Sequence, residues 1–247
     1  MDEPDVGMSP LERGSIVHKA LELLWKNLQS QASLKARSSE NVDALVRSCV
    51  ATALEQYVAK REPSRALNQF RKLEQARLEG LIRKWLDVES NRPQFTVVLS
   101  ENTRTVELAE LKLEIRVDRI DQYEDGTHAI IDYKTSSELS TNMWMGTRPE
   151  APQLPLYAVT SEMPVSEVAF AQIATGSVGL EGLRGNELHE HLPSWDAAIT
   201  KLAGDFLNGC AEVDPDRTIR PCARCKLHAL CRVKELGKQA PGDDRDE

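Results

Sequence analysis

The chain contains no apolar run approaching the ~18 residues that a membrane-spanning helix needs. Its N-terminus has no basic stretch leading into an apolar segment, so the pattern of a secretion signal is missing. The two absences set the expectation of a cytoplasmic protein without membrane association. A surplus of positive charge is also missing: 31 Lys and Arg stand against 39 Asp and Glu, a formal net charge of −8. That excludes a nucleic-acid binder of uniformly basic surface, and any phosphate binding must come from local patches or bound metal ions. There is no internal repeat, and no low-complexity tract away from the termini. The cysteines number five, at 49, 210, 222, 225 and 231. An odd count without a signal argues against a secreted disulfide framework.

What is present is an ordinary globular composition, 40% hydrophobic and 28% charged over 247 residues, long enough for one large domain or two small ones. The first ~90 residues read as helical. Ser9-Pro10-Leu11-Glu12 is a capping-box start, and Leu11, Val17, Leu21, Leu24, Trp25 and Leu28 share the face that follows. A second helix is expected over about Glu40–Lys60, with Val42, Leu45, Val46, Cys49, Ala53 and Tyr57 inward. A third starts at Pro63-Ser64, with Leu67, Phe70, Leu73, Leu78, Leu81, Ile82 and Trp85 inward. Arg65, Arg71, Lys72, Arg77, Arg83 and Lys84 lie largely off that stripe, as a solvated face or a patch for a DNA backbone.

From Pro93 the texture turns strand-like. Phe95–Ser100 reads as a strand, Thr105–Tyr123 as one or two, Thr127–Tyr133 as another and Val165–Ala174 as a last. Pro152–Glu162 reads as a short helix and Ser194–Leu207 as an amphipathic one. Ser136–Glu150 is a polar loop holding Trp144 and Arg148, and Gly176–His191 is glycine-rich and weakly patterned. This order predicts an α/β core, a sheet with an added helical region.

The informative stretch runs from Arg116 to Lys134, two strand-like segments about Glu124-Asp125-Gly126. A three-residue loop closed by Gly126 in the left-handed region would pair Tyr123 with Thr127 and make cross-strand partners sum to 250. Asp118 then faces Asp132, Arg116 faces Lys134, and Asp132 and Lys134 share one side of their strand. A two-residue Asp125-Gly126 turn would instead pair Asp118 with Tyr133 and send it to the opposite face. Opposed carboxylates repel, and a divalent cation between them turns that cost into binding; oxygen ligands suit Mg²⁺ or Mn²⁺. Such a metal polarises a phosphodiester and acidifies a bound water, while Lys134 orients or deprotonates that water and stabilises the charge on phosphorus.

Asp118…Asp132-Tyr133-Lys134 resembles the core signature of the PD-(D/E)XK nucleases. Val117-Asp-Arg-Ile-Asp121 and Ile131-Asp-Tyr-Lys-Thr135 resemble the RecB/AddB-type nuclease domains of bacterial DNA-repair helicase–nucleases. Arg13-Gly14-Ser-Ile-Val-His18 is similar to that family's N-terminal helix motif, whose histidine is a metal ligand, and Gln153-Leu-Pro-Leu-Tyr157 to its Q-x-x-x-Y motif. The resemblance implies a restriction-endonuclease-like fold: a central mixed sheet flanked by helices, with an N-terminal helical region. It implies a metal held by His18, Asp118, Asp132 and the Tyr133 carbonyl, with Asp118, Asp132 and Lys134 catalytic. On the residues alone, His18 lies at the edge of its helix's apolar arc and also suits a core position. Gln153 and Tyr157 share a helical face and, like Arg116, are read as DNA-binding or supporting; packing is the other role open to the helical pair. Gly14 is read as a point where another backbone approaches closely.

Cys222-x2-Cys225-x5-Cys231 has ligand-like spacing. The resemblance implies a 4Fe–4S cluster in the intact protein, with a further cysteine ahead of the first helix, where this sequence has none. A Cys3His zinc site with His228, or Cys210 as a fourth thiolate, are the alternatives. The expectation is one nuclease domain over 1–235: a helical region at about 9–90, a catalytic core at about 93–209, a cysteine segment at 210–235, and a disordered tail at 236–247. Its expected reaction is Mg²⁺- or Mn²⁺-dependent hydrolysis of DNA, as single strands or duplex ends. Exonuclease action is favoured, in repair or recombination, beside a helicase domain or subunit in a longer protein. The alternative is an inactive nuclease-like module that binds DNA or acts as a scaffold.

Overall fold

The computed structural model describes residues 8–58, 65–136, 139–212, 222, 225 and 227–232. Four helices come first: α1 (Pro10–Leu28), α2 (Gln31–Lys35), α3 (Ser39–Val58) and α4 (Arg65–Ser90). The start of α1 is the expected capping box, with Ser9 Oγ accepting from Glu12 N–H and the Glu12 carboxylate from Ser9 N–H. Val17, Leu21, Leu24, Trp25 and Leu28 are buried as the stripe predicts, and so are Val46, Cys49 and Ala53 of α3. The expected helix start at Pro63-Ser64 and the tail at 236–247 lie outside the described residues, as do the side chains of Arg65 and Leu67.

Two leucines contradict the expectation. Leu11 is 81% exposed because the first turn of α1 forms the rim of a cleft. Leu73 is 75% exposed because the buried stripe of α4 runs through Glu74, Leu78, Leu81 and Trp85, so that Glu74 takes the inward place. The basic residues of α4 are mostly tied to acids: Arg71 to Glu55 and Arg83 to Asp43, both on α3 at 2.8 Å, and Arg77 to Glu74. Lys72 and Lys84 are exposed.

The sheet has the order β1-β2-β3-β4-β5. These strands are β1 (Phe95–Leu108), β2 (Leu111–Tyr123), β3 (His128–Lys134), β4 (Val165–Ala174) and β5 (Ser177–Arg184). The segments expected as separate strands at Phe95–Ser100 and from Thr105 are one strand, β1, with a register shift between Val97 and Leu99. All neighbours are antiparallel except β3 and β4, whose parallel pairing needs a crossover. A 3-10 turn (Thr141–Trp144) and α5 (Gln153–Val159) supply it. The glycine-rich stretch expected to be weakly patterned is β5, followed by α6 (Asn186–Leu207), which starts eight residues before the expected Ser194. The edge strand β5 shows no apolar alternation, because its residues are mostly half-buried or exposed. Helix α6 runs through Pro193 because Leu188 anchors its first turns in the core.

Each face of the sheet is covered. Ile131 and Tyr133 of β3, with Ala171 and Ile173 of β4, join the α1–α3–α4 layer. Ile130, Val168 and Phe170 point the other way, into a core with Trp144, Leu154 and Trp195 from the crossover, α5 and α6. Strand β3 is therefore buried on both sides along nearly its whole length, as a central strand with a parallel neighbour must be. The result is a mixed sheet flanked by helices, the restriction-endonuclease-like arrangement. Among the described residues no helix is long and apolar enough to cross a membrane.

An ionic cluster that the sequence reading did not anticipate lies between the helical layer and the sheet. Arg119 is fully buried, donates to Asp121 (Nε–Oδ1 2.6 Å), to Glu89 of α4 and to the Tyr133 hydroxyl (3.3 Å), and lies 3.9 Å over the Trp25 ring. Arg92 bridges Glu89 and Asp121 at 2.7 and 2.8 Å. Two guanidinium groups and two carboxylates thus neutralise one another, and the aromatic faces of Trp25 and Phe95 enclose Arg119.

Gly182 is the position where β5 comes closest to β4. A methyl group there would overlap the Val168 carbonyl oxygen and lie 2.7 Å from Ala169 Cβ, whereas at Gly179 it would meet nothing within 4 Å. Gly182→Ala is expected to lose about 1–3 kcal/mol in urea unfolding, and Gly179→Ala to change stability by no more than about 0.5 kcal/mol. Equal effects at the two positions would contradict this packing.

Candidate active site

The β2–β3 hairpin adopts the three-residue closure. Gly126 is left-handed (φ 82°), its N–H donates to the Tyr123 carbonyl, and Tyr123 N–H donates to the Thr127 carbonyl at 2.8 Å. Asp125 Oδ1 accepts from Thr127 N–H and stiffens the loop. The ladder pairs Gln122 with His128, Asp121 with Ala129, Ile120 with Ile130 and Arg119 with Ile131, so partners sum to 250 throughout.

One expectation needs correction. The ladder stops at Arg119–Ile131, so Asp118–Asp132 and Arg116–Lys134 are not ladder pairs. The Asp118 carboxylate takes the next backbone donor itself: its Oδ2 accepts from Tyr133 N–H at 2.8 Å. The carbonyl of the same residue lies 2.9 Å from His18 Nε2 of α1, and a carbonyl only accepts, so Nε2 carries the proton. His18 Nδ1 stands 3.5 Å from Asp118 Oδ1, and the imidazole meets the Tyr133 ring edge-on at 5.7 Å. Tyr133 is therefore the hub that brings the first helix and the second strand together.

Asp132 and Lys134 lie on the other face of β3 from Tyr133. Asp132 is 2% exposed, and its Oδ2 is 2.6 Å from Lys134 Nζ and accepts no other donor among the described residues. His18, Asp118, Asp132 and Lys134 all line one cleft of about 960 Å³. Gln153 and Arg116 line it too. Gln153 donates to the Tyr157 hydroxyl at 2.8 Å, and that hydroxyl donates to the Arg116 carbonyl. Tyr157 is buried and braces β2 two residues before Asp118, while the Arg116 side chain is exposed at the cleft. Gly14 faces the side chain of Thr135, 3.5 Å from where a Cβ would stand, which is ordinary contact rather than the close backbone approach expected.

The two carboxyls are driven apart in acidity. Burial, reinforced by the negative charge of Asp118, pushes Asp132 up to about 6 against the pull of Lys134. Burial acts upward on Asp118 as well, but His18, the Tyr133 N–H and Lys134 hold it below its ordinary value. A buried carboxylate short of donors beside a second one, with a carbonyl and an imidazole at hand, is a donor set that fits a hard dication. Among the described residues no three His, Cys, Asp or Glu side chains are already grouped closely enough to hold an ion. Lys134 and His18 compensate the carboxylates as they stand.

The cysteine segment gives a different picture. Cys222 is buried, Cys225 and Cys231 are half-buried at the short helix α7 (His228–Cys231), and Cys210 is exposed. Leu227 N–H donates to Cys225 Sγ at 3.3 Å. The described residues do not gather these thiols into a metal-holding group, and the His228 side chain lies outside them.

An α/β sheet flanked by helices, with two buried carboxylates and a lysine at the end of its central hairpin, defines a class of metal-dependent nuclease folds. The chain belongs to the PD-(D/E)XK nuclease superfamily, whose model matches residues 2–232. No curated protein matches it. Among solved structures, SSO0001 is similar over 95% of this chain and 89% of its own, at 13% identity and a TM-score of 0.37.

A dication held by Asp132 would have to displace the proton that burial keeps on this carboxyl up to about pH 6. Mn²⁺ affinity, measured by calorimetry, is expected to rise with pH up to about 6, roughly tenfold per unit for one released proton, and to level off above. An affinity that is flat from pH 5 to 7 would remove Asp132 from the ligand set.

Proposed function

We propose that this chain is a Mg²⁺- or Mn²⁺-dependent deoxyribonuclease domain of the RecB/AddB type, acting as an exonuclease on DNA ends or single strands. The observation that carries the reading is the Tyr133 hub, which ties His18 to Asp118 beside the Asp132–Lys134 pair in one cleft. A role in DNA repair or recombination beside a helicase rests on the motif order from Arg13 to Tyr157.

His18, Asp118, Asp132 and the Tyr133 carbonyl would hold the metal. Bound there, it supplies Lewis-acid polarisation of the phosphodiester and a more acidic water. The protein's own groups do the rest. The Lys134 ammonium, held at the cleft by Asp132, donates to the attacking water and offers positive charge to the phosphorus centre as negative charge builds on it. Tyr157 and Gln153 keep β2 against α5, so that Asp118 stays aligned. Burial of Asp118 and Asp132 excludes bulk water and strengthens each of these interactions.

The purified chain is expected to degrade linear DNA in Mn²⁺ or Mg²⁺ and to spare a closed single-stranded circle. Lys134→Ala is expected to slow cleavage by about 10²–10³ while Mn²⁺ still binds, and Asp132→Ala to lose both cleavage and Mn²⁺ binding. Cleavage that survives Lys134→Ala unchanged, or wild-type protein that binds DNA and never cuts it, would leave the inactive DNA-binding module as the better reading. Cutting of the closed circle would replace exonuclease with endonuclease.

A further inference from the structure

The N-terminal turns of α1 separate the catalytic cleft from a second hollow. Gly14 meets Thr135 at the ridge between them. At 100° per residue, His18 lies about 40° to one side of Gly14 and Arg13 about 100° to the other. The second hollow, about 400 Å³, is lined by Arg13, Arg77, Thr135, Ser136 and Thr175 and shares Pro10, Thr135 and Ser136 with the catalytic cleft. Thr135 and Ser136 follow Lys134 directly, so the hollow begins where β3 leaves the catalytic residues.

Its charge is set by three side chains. Glu74 has taken an inward place on α4 and its side chain is 7% exposed. Arg77 forks onto both of its oxygens and donates to Thr175 Oγ1 at 3.3 Å. Arg13 Nε stands 3.6 Å from the same carboxylate. Two guanidinium groups on one carboxylate leave a net positive charge. Both remain in reach of solvent, Arg13 at 44% and Arg77 at 34% exposure. In a chain of net charge −8, this is a local cationic point beside the hydroxyls of Thr135, Ser136 and Thr175, two of which also line the cleft.

We propose that Arg13 and Arg77 form a phosphate subsite for the DNA backbone, gripping the strand after it passes from the catalytic cleft over Thr135 and Ser136. The proposal rests on the nuclease reading for its ligand, not for its geometry. Guanidinium groups suit phosphate oxygens, and Glu74 anchors Arg77 by its fork and Arg13 by its Nε, one negative charge against two positive. The grip is independent of base identity and acts on register: it holds the strand while the adjoining phosphodiester lies at Asp132 and Lys134.

The test is binding of a fluorescein-labelled single-stranded oligonucleotide, read by anisotropy in EDTA, where metal-dependent cleavage does not run. The plot of log affinity against log salt is expected to flatten by about 0.7 in Arg13→Gln and again in Arg77→Gln, the slope of one phosphate contact each. Arg77→Lys keeps the charge and is expected to keep the slope. Glu74→Gln removes the competing carboxylate and is expected to tighten binding roughly two- to fivefold, a direction that a misfolded protein would not give. Wild-type slopes in both arginine variants, or Glu74→Gln binding no tighter, overturn the subsite. A wild type that cuts DNA while the arginine variants bind as it does removes the subsite alone. A wild type whose binding depends on Arg13 and Arg77, yet which never cuts, removes the nuclease reading alone.

Discussion

A slip of one residue between β2 and β3 would turn Asp118 toward Trp25 and Glu89 and bring Arg119 into the cleft. The chain guards against that slip at both ends of the hairpin. At the tip, Gly126 adopts the left-handed conformation that closes a three-residue loop. On the side facing the helices, Arg119 and Asp121 are matched to Glu89 and Arg92. Between these two anchors the strands pair regularly, and just past Arg119 the ladder gives way. The peptide donor freed there, Tyr133 N–H, goes to a carboxylate instead of a carbonyl. The site is thus placed where regular pairing ends, with the backbone of one residue serving both a helix and a strand.

Electrostatics follow from that placement. Two acids are buried close together, and the fold tolerates them through an ammonium and an imidazole. One acid is held below its ordinary value by hydrogen bonds and nearby cations, and the other, buried beside it, holds its proton more tightly. Unequal surroundings for equal groups are a common way to give two carboxyls separate tasks. The net negative charge of the whole chain is compatible with this, since the groups that meet phosphate are few and local.

The parts legible in the sequence are those that periodicity and loop chemistry control. Ser9 and Glu12 announce α1 and Gly126 announces the loop, and the register that sums to 250 holds as far as Arg119–Ile131, one residue short of Asp118. The failures have physical causes. Strand β5 is an edge whose glycines erase alternation, so nothing marked it. Helix α6 extends back through Pro193 to Asn186, where Leu188 packs into the core and outweighs the backbone hydrogen bond that proline lacks. Leu73 looked like core and Glu74 like surface, because hydropathy cannot see that two arginines wait for a carboxylate. Arg119 and Asp121, two apart and so on one side of a strand, are the available signal for an internal ion cluster. Reading them as such needed a third party, Glu89, from thirty residues away.

The Arg119 cluster also orders events during synthesis. Its members are drawn from residues 25, 89, 92, 95, 119, 121 and 133, so it is incomplete until the hairpin has left the ribosome. Until then Glu89 would have to enter an apolar interior with only Arg92 for company, and hydration opposes that. Burying Glu89 between the helices and the sheet thus requires a guanidinium from thirty residues downstream to lose its water with it.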